Sequence, residues 1–303
     1  MTAFTIIAPL FLLILAGYVV RRTGLLPEAF WPYARRAAYW VFFPALMVAN
    51  LTLARFGDFP VLVLAGALLS GVAATAALVL FIGTRLNLQG RSMIAALGAS
   101  IRPNVYIGVA GAMVLTSIDG ITLASVIILV MLPLVAALEA PVWARFAQDD
   151  PTVVRRALKE IVVNPLVLAS AVGVLLNLGS VFLPTWLFGT LDLAGNAALP
   201  LGLMALGASL TFTGLSQHSR VVFLAVPFKL IILPGLTILA CRLYHVEQVA
   251  TIVAVLFTAA PAGLPPLEDL RESRDPSDPF IAAISLETVF AAAIMPLWLA
   301  AFN

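Results

Sequence analysis

The chain returns ten times to an apolar stretch of about the twenty residues that an α-helix needs to cross the hydrocarbon core of a bilayer. The stretches cover roughly 4–20, 34–53, 59–83, 91–115, 121–146, 163–183, 191–212, 219–243, 249–267 and 280–302. The residues AVILMFWYC make up 62% of its 303 positions and Asp, Glu, Lys and Arg only 11%, where a soluble domain carries about 25% charge; mean hydropathy is +1.07. An all-α polytopic membrane protein of ten transmembrane helices is predicted, with no room beside them for a soluble domain.

Charge at the ends of these stretches predicts orientation. Arg21-Arg22 follow the first stretch and no basic residue precedes it. That is the reverse of a signal peptide's order, so the segment is expected to stay in the mature protein. Loops after stretches 1, 3, 5, 7 and 9 hold thirteen Lys and Arg, Arg35 and Arg36 among them, against Arg55 and Arg242 on the other face. Basic loops stay in the cytoplasm, so both termini are expected outside it, as in a bacterial inner (cell) membrane. The lone Cys241 can form no internal disulfide, and no Cys/His spacing suits a metal. No cofactor, metal or nucleic-acid partner is implied.

Two stretches break around proline at matching places in the two halves: Ile101-Arg102-Pro103-Asn104 in the fourth and Ala260-Pro261-Ala262-Gly263-Leu264-Pro265-Pro266 in the ninth. Proline removes a backbone donor and bars a straight helix, freeing groups that lipid cannot satisfy. Paired interruptions are the best sequence pointer to a transporter's binding site. A faint repeat accompanies them: Pro9 and Pro165, Gly17 and Gly173, and Pro44 and Pro200 are each 156 residues apart. Five stretches per half is odd, so the second half starts from the opposite side. The expected architecture is two inverted five-helix repeats, 1–147 and 163–303, joined by a cytoplasmic linker, 148–162.

Four ionisable residues fall inside stretches, where each costs about 2.5–3.5 kcal/mol at a helix centre. Arg102, just before the first break, is read as a substrate or pathway residue against snorkelling to a headgroup. Lys229, mid-stretch, either attracts substrate or pairs with Glu287. Glu287 either carries a coupling ion or forms that salt bridge. Glu139, with Arg145 shortly after it, is read as interfacial or as a second coupling-ion candidate. Asn104 is expected to bond freed backbone or a ligand carboxylate. Asn50 on the second stretch is a further binding candidate whose alternative is an interhelical hydrogen bond, and Tyr106 a candidate that otherwise simply packs.

These residues resemble the auxin efflux carrier family, which includes plant PIN carriers and bacterial permeases for malonate and other small carboxylates. Arg102-Pro103-Asn104 with Gly108 is similar to the family's fourth-helix motif, and Pro261-Ala262-Gly263-Leu264-Pro265-Pro266 to its ninth-helix crossover. Asn164-Pro165-Leu166, Leu199-Pro200, the run Leu206-Gly207-Ala208-Ser209-Leu210, Lys229 with Pro234, and Met295-Pro296-Leu297-Trp298 also look like family positions. The resemblance implies that helices 4 and 9 cross at Pro103 and Pro261, an arrangement like that of NhaA-type antiporters and bile-acid symporters. It further implies a scaffold of helices 1, 2, 6 and 7, a transport domain of helices 3–5 and 8–10 that moves as an elevator, and a homodimer. Leu267-Glu268-Asp269-Leu270-Arg271-Glu272-Ser273-Arg274 departs from the family's aromatic-containing run.

The expected function is secondary transport of a small organic anion, a mono- or dicarboxylate. Its binding set is Asn50, Arg102, Pro103, Asn104, Tyr106, Lys229, Pro261, Ala262 and Gly263. An H⁺- or Na⁺-coupled carrier using Glu287 or Glu139 is the alternative, and a receptor on a carrier-like fold a third class. An intramembrane hydrolase has no serine with a nearby histidine to build on, so no enzyme is expected.

Overall fold

The computed structural model describes residues 3–54, 61–146, 163–264 and 278–302, and the regular structure among them is helical. The helices are α1 (Ala3–Arg22), α2 (Phe30–Ala37), α3 (Phe43–Leu51), α4 (Val61–Arg85), α5 (Arg91–Ile101), α6 (Val105–Phe146), α7 (Pro165–Leu178), α8 (Thr185–Asn196), α9 (Ala198–Ser209), α10 (Ser219–Pro227), α11 (Leu233–Leu243), α12 (Gln248–Ala259) and α13 (Pro279–Ala300). Helix closes every backbone hydrogen bond within its own segment, the condition that hydrocarbon imposes on an apolar chain. Among the described residues six segments are long and apolar enough to cross a membrane: 61–85, 91–115, 120–145, 185–209, 219–243 and 279–300. In the sixth predicted stretch α7 ends at Leu178, five residues short, and the seventh begins at Thr185, directly after Pro184, six residues earlier than expected.

Proline sets the interruptions. The residue before a proline is pushed out of the helical region into extended backbone, and both predicted breaks begin there. Arg102, before Pro103, has ψ 129°, and Ala260, before Pro261, has ψ 147°. Subtler distortions precede other prolines. A π-helical turn, Ala38–Phe42, joins α2 to α3 before Pro44, and another, Phe228–Ile232, joins α10 to α11 before Pro234. Pro234 cannot donate to the carbonyl of Leu230, and that oxygen accepts instead from the Trp298 indole at 2.8 Å.

A straight 42-residue helix would run about 63 Å, and Glu139 would then lie far from the start of α6. Glu139 instead touches Arg102, so the chain reverses between them. The halves of the molecule interlock through glycine. A methyl group on Gly17 of α1 would strike the Met204 carbonyl of α9, and one on Gly207 of α9 the Ile14 carbonyl of α1. Gly173, 156 residues after Gly17, packs in the same manner on α3, where a Cβ would come within 2.6 Å of Leu51 Cβ. Helix ends also meet in pairs: Arg21 donates to the Ala208 carbonyl at 2.5 Å, and Asn177 to the carbonyls of Thr52 and Ala54 at 3.0 and 2.8 Å.

Candidate functional site

The two breaks lie against each other. A Cβ on Gly263 would sit 2.5 Å from the Pro103 carbonyl oxygen and 3.5 Å from Asn104 Cα, so only glycine lets the backbones approach this closely. Below the crossing Gly108 of α6 leaves room for the Phe257 ring of α12, and Gly111 for Leu256. Asn104 is 1% exposed. Its Oδ1 accepts from the Ile107 N–H at 3.2 Å, capping the first turn of α6, while its Nδ2 has no partner among the described residues. The positive end of α6 thus opens at the crossing beside an unspent amide donor.

On the second break the Ala262 N–H, freed by the interruption, donates to Glu287 Oε2 at 2.8 Å. Glu287 and Lys229 are both 0% exposed. Glu287 Oε1 and Lys229 Nζ have no hydrogen-bond partner, and among the described residues no ion pair joins them. The direct salt bridge that the sequence offered is therefore not made among the described residues.

Arg102 and Glu139 form a bidentate pair: Nε donates to Oε1 at 2.7 Å and NH2 to Oε2 at 2.6 Å. The guanidinium also stacks over Phe280, 5.6 Å from the ring centre. The interfacial reading of Glu139 is corrected by this contact. Its side chain is 7% exposed and faces a cation 37 residues upstream. Burial explains the difference, because a carboxylate at this depth needs a paired cation.

The remaining candidates divide. Asn50 Nδ2 donates to the Leu46 carbonyl of its own helix at 2.8 Å, so the interhelical bond expected of it is absent among the described residues. The Tyr106 ring meets Phe43 edge-on at 5.3 Å and covers Gly202, but its buried hydroxyl has no partner. Pro265, Pro266 and the charged run at 267–274 lie outside the described residues.

Two residues escaped the sequence reading. Arg35, counted there only as a loop charge, is half-buried with its NH2 nitrogen fully buried and unpartnered, and Trp31 Nε1 is in the same condition. The available signal was their spacing: four residues apart on one helix, they share a face.

A bundle of long apolar helices with a polar crossing in its interior defines an integral membrane protein of the transporter kind. The family model described as membrane transport protein matches residues 148–299, half of the chain, and the chain belongs to that family, the auxin efflux carriers. No curated protein matches it.

Proposed function

We propose that the protein is a secondary transporter that carries a small organic anion, a carboxylate, bound where the broken helices cross. The observation that carries the reading is the contact of Gly263 with the Pro103 carbonyl beside the unspent Asn104 amide. Donors held in place and buried from the surface, as Asn104 is, cost little reorganisation when an anion arrives, and the start of α6 adds positive potential. The membrane transport protein family supports transport rather than catalysis.

The same reading takes the architecture as ten membrane helices in two inverted repeats, 1–147 and 163–303, linked by 148–162. A scaffold of helices 1, 2, 6 and 7 would guide an elevator of helices 3–5 and 8–10, within a homodimer in the cell membrane. Support comes from Gly17 and Gly173, repeat-related residues that make like close contacts with opposite halves. Lys229, Pro261, Ala262 and Pro103 belong to the site as its frame.

Coupling to H⁺ or Na⁺ is the second reading, and one observation favours Glu287 for it over Glu139. Glu287 holds the backbone of the second break and keeps one oxygen unspent, whereas both oxygens of Glu139 are engaged by Arg102.

The decisive variant is Asn104→Asp. It keeps the oxygen that caps Ile107 but exchanges the amide donor for negative charge. Uptake of radiolabelled carboxylates into proteoliposomes should fall at least about tenfold, the loss of one charge-assisted hydrogen bond, with the melting temperature kept. Undiminished uptake would remove Asn104, and with it the crossing, from the transport path. Imposed pH and Na⁺ gradients in the same vesicles test the coupling.

A further inference from the structure

We infer that Arg35, together with the Tyr106 hydroxyl and the Trp31 indole N–H, is the subsite that takes the carboxylate group of the transported anion. The assignment rests on the anion-carrier reading and names the cation of that site. Trp31 and Arg35 stand one turn apart on α2 and share a face. α2 packs against α9, and the ring of Tyr106, two residues after Asn104 at the first break, lies on Gly202 of that same α9. Phe43 and Gly202 hold the Tyr106 ring in place.

Trp31 Nε1, Arg35 NH2 and Tyr106 OH are all buried and have no hydrogen-bond partner among the described residues. Indole and guanidinium can only donate, and the phenol can donate as well. Buried polar groups are ordinarily satisfied, so three left open together mark a place where an acceptor belongs. No ion pair reaches Arg35 among the described residues, so its charge too stands uncompensated. A carboxylate answers both deficits at once: its two oxygens take several donors, and its charge balances the guanidinium. A neutral amide or an alcohol would satisfy the hydrogen bonds and leave the cation bare. Arg102, by contrast, is already answered by Glu139 at 2.6 Å.

The test is thermal stability of the purified full chain in detergent with benzoate, succinate and, as the uncharged isostere of benzoate, benzamide. Ligands that bind the native state raise apparent stability by mass action. Wild type should be stabilised by one or both acids and not by benzamide. Arg35→Gln and Tyr106→Phe should each weaken the apparent affinity on the order of ten- to hundredfold, with Arg35→Lys falling between because an ammonium lacks the planar fork. Tyr106→Phe removes a single oxygen and decides the matter if Arg35→Gln does not fold. Full acid stabilisation in both variants overturns the subsite while leaving an anion carrier standing. No stabilisation of wild type by either acid, or equal stabilisation by benzamide, overturns the subsite and the anion reading together.

Discussion

A guanidinium that grips a carboxylate through two parallel hydrogen bonds, as Arg102 grips Glu139, presents little net charge to anything beyond the pair. Its worth to the protein is therefore structural first. Breaking such a buried pair from one side strands the other charge, at a cost of about 3–5 kcal/mol. Arg102→Ala should accordingly lower the melting temperature sharply, and lost transport in that variant says nothing about ligand contact. The double variant Arg102→Met with Glu139→Leu, which removes both charges and refills the space, should recover most of the stability. A double variant as unstable as the single one would mean that the pair is not what holds these segments. The sequence singled out Arg102 beside the first break but could not show its partner, since 37 residues and a chain reversal separate the two. Arg35 was hidden for the opposite reason. At the edge of an apolar stretch, next to Arg36, it looked like any charge that anchors a loop.

At the scale of elements, legibility tracked covalent constraint. Proline disfavours helical backbone in the residue before it, and at Pro103 and Pro261 both breaks fall where the sequence put them. The π-helical turns before Pro44 and Pro234 were not foreseeable from proline alone, because Pro133, Pro141 and Pro296 lie in α-helix with no π-turn before them. What differs at Pro234 is supplied by tertiary structure, the Trp298 indole that takes the orphaned Leu230 carbonyl. Trp298→Phe keeps the ring's bulk and leaves that carbonyl without a donor, which should cost about 1–3 kcal/mol. Denaturation monitored on purified protein would register the change, and a variant as stable as wild type would show that the π-turn needs no such donor. Gly263 had a different kind of visibility. Its place between prolines put it in the binding set, and its role in the fold is to let one backbone lie on another.

For the molecule as a whole, the open matter is whether the halves are related by inversion, and the repeat spacing supplies a direct test. Leu25 follows α1, and Val181, 156 residues later, follows α7, so the two occupy equivalent places in the proposed repeats. Both are exposed, at 74% and 50%. In a parallel repeat they would face the same compartment. In an inverted one, with five helices per half and basic loops held inside, Leu25 faces the cytoplasm and Val181 the opposite side. The native thiol is no obstacle, because Cys241 is 0% exposed. Leu25→Cys should therefore react with a membrane-impermeant maleimide only in inside-out vesicles, and Val181→Cys only in intact cells or right-side-out vesicles. Labelling of both from one side would sink the inversion, and with it the reason for bringing helices 4 and 9 together as symmetry mates. Because the approach of Gly263 to Pro103 is seen directly, the crossing itself would survive that outcome, and the site would then rest on local chemistry alone.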